Sequence, residues 1–223
     1  MTITPRVVAD ELKQIVDALR DLGIITYSNT VFESPSFVSW TTPGQTYESF
    51  LLSRDDLTVE GYLHWLETNQ YSALFEDGGL LQVSYSFSGH ELVGHRLAYV
   101  PCPVLLDSHC RELLAEGEAL SDVVRMQMRD PKNLFMKTSV RFDYDPLSAG
   151  TSHPASHFTM NSADCRIACA APMRIGRFLD FVFQHFYEAH YRRHEYLRQF
   201  PLGGWFKPTL LSENRGSVHL NWA

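Results

Sequence analysis

Between Leu81 and Phe87 the chain alternates. Leu81, Val83, Tyr85 and Phe87 are apolar, and Gln82, Ser84 and Ser86 between them are polar. A period of two is what a half-buried strand requires, because successive side chains leave opposite faces. Asp77, Gly78 and Gly79 stand before this run, and Ser88, Gly89 and His90 follow it. Both triplets suit tight turns that need positive φ. A further extended run from Val93 to Val100 is closed by Pro101 and Pro103. Residues 73–100 therefore predict an antiparallel meander with one apolar face to bury.

The rest of the chain supplies cover. Val8, Leu12, Ile15, Leu19 and Leu22 recur at helical spacing and stop at Gly23. Thr58 can cap a helix over residues 59–68, since its hydroxyl accepts from the first free amides. Residues 108–129 predict one or two helices broken near Gly117. Residues 174–199 predict the longest helix. Ile175, Phe178, Leu179, Val182 and Phe183 make its first half apolar nearly all round, which means burial on several sides. Its second half, with Glu188, His190, Arg192 and Arg193, leaves the core. Extended segments are expected over 24–27, 31–40, 137–144, 157–161 and 217–222, with Pro35 at an edge or bulge. Thr42, Pro43 and Gly44 make a turn, and 47–52 suits strand or helix. The expectation is a single α+β domain over residues 1–223. It is an antiparallel sheet with helices mainly on one face and the long C-terminal helix central to the core.

With 223 residues, 44% of them hydrophobic, the chain can bury a core without staples. No apolar run approaches the ~18 residues of a membrane span. The N-terminal stretch reads as amphipathic helix rather than secretory leader. The expected location is therefore the cytoplasm, with Cys102, Cys110, Cys165 and Cys169 as reduced thiols. Their spacings are not those of a zinc ribbon. A net charge of −7 argues against a generally nucleic-acid-binding surface, though not against a local basic groove.

Chemistry concentrates between Ser139 and Arg166. In the first strand there, Val140, Phe142 and Tyr144 point one way, and Ser139, Arg141, Asp143 and Asp145 the other. In the second, Phe158 and Met160 oppose His157, Thr159 and Asn161. If both apolar faces pack on the buried helix, Arg141, Asp143, His157 and Asn161 share one surface. His153 enters from the loop between them, beside Pro154. His157 or His153 could exchange protons near neutral pH, with Asp143 orienting the ring. Arg141, Arg166 and Asn161 could hold an anion. His153, His157 and Asp143 could instead ligate a metal, although Pro154 argues against the helical spacing that such a pair favours. His95 and Arg96 face opposite sides of a strand, so at most one joins; His95 is the candidate. The plain alternative is a solvated sheet surface with Arg141 and Asp143 as a cross-strand ion pair. Cys165 beside Arg166 is a weaker candidate for a thiol nucleophile. His190 and His194 are spaced for a metal pair. The surrounding Tyr187, Arg192, Arg193 and Arg198 suit a partner or nucleic acid, or a solvated helix end. Phosphate-loop, dinucleotide and nucleophile-elbow patterns are missing.

The pieces from Tyr71 to Phe87, His95 to Pro103 and Arg141 to Pro146 fall in a distinctive order. His153 to His157, Cys165 to Ile167 and Phe178 to Tyr187 continue it. That order resembles the uncharacterised bacterial domain-of-unknown-function family number twenty-two-ninety. The family has no established activity to carry over. The resemblance implies only a setting among bacterial mobile or defence genes. In order alone, the pieces are also similar to small toxins of toxin–antitoxin pairs. The leading expectation is an effector or accessory subunit engaging nucleic acid or another phosphate-bearing ligand through the polar sheet face. A protein partner encoded nearby is expected, with no membrane, and cofactors are left unknown. The rivals are a non-enzymatic interaction subunit, using the basic helix end and a loop over 201–206 with Trp205, and a metal-dependent hydrolase or toxin-like ribonuclease.

Overall fold

The computed structural model describes residues 3–40, 58–135, 137–150, 152–160, 164–203 and 206–222. The turn expected at Thr42, the segment 47–52, Asn161 and Trp205 lie outside the described residues. Helix α1 spans Pro5–Asp21. Thr4 caps it by accepting from the Val7 amide, and Gly23 takes φ +70° just beyond its end. The sheet strands follow as β1 (Ile25–Ser28), β2 (Phe32–Ser34), β3 (Phe37–Ser39), β4 (Ala73–Phe75), β5 (Leu80–Ser88) and β6 (Glu91–Val100). Then come β7 (Val140–Tyr144), β8 (Ser156–Met160), β9 (Arg166–Cys169) and β10 (His219–Leu220). They form one sheet in the order β1-β4-β5-β6-β7-β8-β9-β10, and the β2–β3 hairpin joins the edge of β5 beyond β4. Every pairing is antiparallel except β9 with β10. The expected meander is present as β4-β5-β6. Pro35 falls in the turn between β2 and β3, where its missing amide is not needed.

One face of the sheet carries Val83, Tyr85, Leu97, Tyr99, Val140, Phe142 and Phe158. It packs on the apolar stripe of α1 and on α5 (Ile175–Phe186), where Ile175, Phe178, Leu179, Val182 and Phe183 are buried. Helices are not confined to that face. Leu74, Leu80 and Val100 alternate with the first set and so point to the other side. They join a second core with Tyr62 and Leu63 of α2 (Val59–Glu67), Cys110 of α3 (Ser108–Ala115) and Val123 and Val124 of α4 (Leu120–Gln127). The expectation of helices mainly on one face is corrected accordingly. The sheet is covered on one side by α1 and α5, and at one end of its other side by α2, α3 and α4.

The single long C-terminal helix is corrected as well. Helix α5 stops at Phe186, Tyr187 leaves helical geometry at φ −132° and ψ 44°, and α6 restarts over Glu188–Arg193. The Tyr187 hydroxyl donates to Asp77 Oδ1 at 2.7 Å and meets the Tyr99 hydroxyl at 3.0 Å. His190 Nε2 lies 2.8 Å from Glu76 Oε1. Anchoring to the Asp77 turn thus fixes the chain where a continuous helix would run straight on.

Candidate functional site

Strand register builds the site. Asp143 stands opposite Arg96 on one side and His157 on the other. Arg141 stands opposite Thr159, and Thr159 opposite Arg166. Ser84 extends the first row beyond Arg96, and Gln82 extends the second beyond Ala98. Directly opposed residues share a face. The polar side of β5 to β9 therefore carries two adjacent rows, one reading Ser84, Arg96, Asp143, His157 and the other Gln82, Ala98, Arg141, Thr159, Arg166. The expected adjacency of the two strands holds.

Asp143 is the hub. Its Oδ2 accepts from Arg141 Nε at 2.6 Å, and His157 Nε2 lies 3.4 Å from the same oxygen. Arg96 Nε lies 3.5 Å from Oδ1. Burial alone pushes this carboxyl up, but Arg141, the His157 hydrogen bond and Arg96 outweigh it. They hold the group well below the usual carboxylate range. Asp143, His157 and Thr159 are buried, so this is not the solvent-open face expected from alternation. The arginines reach out of it, with side chains 17% (Arg96), 25% (Arg141) and 22% (Arg166) exposed.

His157 is fully engaged. Its Nδ1 donates to the Pro154 carbonyl at 2.8 Å while Nε2 faces Asp143. His153 comes in from the loop, as expected, and stacks edge-on against the His157 ring at 4.7 Å. It is half-buried, and burial, then His157 and Arg166, lower its pKa. Of the two histidines, His153 is the one with access to solvent.

Arg166 enters through β9, a strand that the sequence reading did not predict. His95 does not join the cluster. It lies on the apolar face between Tyr85 and Tyr144, where its Nε2 accepts from the Met173 amide at 2.8 Å. Burial lowers its pKa to about 4. Arg96, its neighbour, occupies the site instead. The signal was available, because Leu97 and Tyr99 point to the core and so Arg96 must point away from it. Asn161 lies outside the described residues.

The other constellations serve the fold. Cys102 and Cys110 sit in the second core, Cys169 in the first, and Cys165 is exposed, so the four do not converge. Burial pushes the Cys169 thiol up, which suppresses its thiolate. The rings of His190 and His194 stack 5.9 Å apart, and α6 ends before His194. No group of three or more metal-ligating side chains forms among the described residues. At the basic helix end, Arg198 donates to the carbonyls of Tyr191 and Arg192, and Arg192 pairs with Glu188 at 2.5 Å. These cations complete the end of their own helix.

Fold and site together define an α+β protein. A mostly antiparallel sheet carries a buried carboxylate ringed by arginines and a histidine on one face. The chain belongs to the uncharacterised conserved protein family DUF2290, whose model matches residues 25–222. No curated protein and no solved structure shows detectable similarity to it. No helix among the described residues is long and apolar enough to cross a membrane.

Proposed function

We propose that this protein is a bacterial effector or accessory subunit that engages a phosphate-bearing ligand, nucleic acid in preference, through the polar face of β6 to β9. One observation carries the reading. Arg96, Arg141 and Arg166 converge from three strands onto a face whose single buried carboxylate among the described residues is Asp143. In a chain of net charge −7 this is a concentrated cationic patch. Guanidinium groups with planar, multiple donors suit phosphate oxygens. Asp143 holds Arg96 and Arg141 in place, much as an outer carboxylate orients binding groups elsewhere. His157, with both ring nitrogens engaged, supports that scaffold. Any proton transfer falls to His153, which favours binding over catalysis as the primary role. A ligand of this kind also fits the defence or mobile-gene setting implied by the family resemblance. The interaction-subunit reading draws less support, because Arg192 and Arg198 at the basic helix end are satisfied internally.

The test is fluorescence anisotropy of a 5′-hydroxyl single-stranded oligonucleotide across a salt series. Three phosphate contacts to a single strand give a log–log slope of about −2. Arg96→Gln and Arg141→Gln should each weaken binding and flatten the slope by roughly 0.7. No binding at low salt, or slopes unaltered by both substitutions, defeats the proposal.

A further inference from the structure

Arg141, Thr159 and Arg166 lie side by side on β7, β8 and β9, directly opposed in register. With neighbouring strands about 4.8 Å apart, the two arginines start roughly 10 Å from one another and Thr159 forms the floor between them. Among the described residues their donors are largely unspent. Arg141 gives Nε to Asp143, which leaves its terminal nitrogens for a ligand. Among the described residues Arg166 pairs with Asp164, 3.9 Å away and 97% exposed, a pairing of little strength in water. Arg166 Nε and Thr159 Oγ1 are both buried and lack a hydrogen-bond partner among the described residues. Thr159 itself is only 6% exposed. A buried donor left unpaired costs about 1–3 kcal/mol. Two of them side by side, between two guanidinium groups, mark a place shaped for an acceptor.

We propose that Arg141, Thr159 and Arg166 form a subsite for a terminal phosphate monoester. This rests on the reading of the face as phosphate-binding and specifies which phosphate it takes. Guanidinium groups donate and never accept, so the ligand must be acceptor-rich and anionic. The donors approach from three strands. A monoester presents three unesterified oxygens that can each accept, whereas an internal diester presents two and a carboxylate two in one plane. The enclosed floor at Thr159 also suits a chain end better than a continuous backbone, which would have to leave in two directions. The same chemistry is offered by the 5′ end of a nucleic acid and by a free nucleotide.

The experiment compares 3′-labelled single-stranded oligonucleotides that carry either a 5′-phosphate or a 5′-hydroxyl, with the full chain, by anisotropy. The 5′-phosphate should tighten binding about tenfold or more, as one or two charge-assisted hydrogen bonds would. Thr159→Val, nearly isosteric, should reduce that preference below about twofold while leaving 5′-hydroxyl binding unchanged, and Arg166→Gln should reduce the preference as far while also weakening 5′-hydroxyl binding and flattening its salt slope by roughly 0.7. Melting curves of both variants establish that they are folded, and adenosine 5′-monophosphate against adenosine serves as a second probe on the wild-type chain and on both variants. Equal binding of the two oligonucleotides, with no effect of the monophosphate, overturns the subsite and leaves the wider phosphate reading standing. Binding of the monophosphate alone, lost in both variants, supports the subsite and removes nucleic acid as its source. Binding of neither oligonucleotide nor the monophosphate overturns both.

Discussion

Replacing Asp143 with Asn should destabilise this protein well beyond what an ordinary surface ion pair is worth. The substitution preserves shape but removes the charge that Arg141, Arg96 and His157 share. It also turns an amide donor toward at least one of those donors. An exposed pair is worth about 0–1 kcal/mol. Breaking a buried one by removing one partner costs about 3–5 kcal/mol. Asp143 is 3% exposed, but both arginine side chains retain some water, which points to the low end, about 3 kcal/mol. At ~2.1 cal/mol/K per residue, 223 residues give an unfolding entropy of about 0.47 kcal/mol/K, so Tm should fall by about 6 °C. Thermal unfolding followed by near-ultraviolet circular dichroism at neutral pH measures it. The sign of the pH dependence is also determined. The folded pKa of Asp143 is depressed, so its contribution is present above the ordinary value of 3.8 and is lost as pH falls toward the folded value. The gap between wild type and variant should therefore persist near neutrality and narrow in acid. A Tm loss below about 2 °C would refute the account of Asp143 as a buried hub.

His95 should make the wild-type protein acid-sensitive in a higher window. Its folded pKa of about 4 lies below the ordinary 6.5, so the unfolded chain binds the extra proton and stability falls as pH drops between those values. Between pH 7 and pH 5 the loss is about 2 kcal/mol by linkage, and His95→Gln should abolish most of it in urea titrations. Identical pH dependence in that variant would count against the buried neutral ring. At Gly176, near the start of α5, an added Cβ would meet the Pro201 carbonyl oxygen at 2.5 Å. Gly176→Ala should therefore destabilise by about 1–3 kcal/mol, although helix propensity alone favours Ala by ~1 kcal/mol. A neutral or stabilised variant in urea unfolding would show that Pro201 does not pack there.

Local patterns carried the reading where local physics decides the structure. The alternation of Leu81 to Phe87 marked a strand, Thr58 marked a helix start, and the alternation around Arg141 and His157 placed both on one face. Each outcome depends on neighbours within a few residues. Misreadings arose where distant partners decide. Helix α5 ends at Tyr187 because of a hydrogen bond to Asp77, which lies 110 residues earlier. Strand β9 has four residues, with Ala168 and Cys169 blurring its alternation, and it exists through pairing with β8 and β10. Its omission hid how Arg166 reaches the site. The second core was hidden for a related reason. Leu80 and Val100 sit at the ends of strands whose middle positions on that face are polar. The face changes from apolar to charged along its length, and no single window reveals such a gradient.

That gradient is what gives the polar rows their meaning. The same strands that bury Leu80 and Val100 beneath α2, α3 and α4 carry Ser84, Arg96, Asp143 and His157 further along. Continuing the apolar pattern would have extended the second core, and replacing a buried ionic cluster by packed apolar residues is often neutral or stabilising. Stability alone therefore gives a poor account of two arginines and a histidine gathered around one carboxylate with a third arginine, Arg166, on the same face. The charge balance points the same way. Asp143 can offset one guanidinium, and its attention is divided between Arg96, Arg141 and His157. Arg166 and Thr159 keep buried donors without acceptors among the described residues. A phosphate bound between Arg141 and Arg166 would supply the missing negative charge and the missing acceptors at once. A cluster that is electrostatically incomplete in the free protein is what a site that recognises its ligand by that ligand's charge requires.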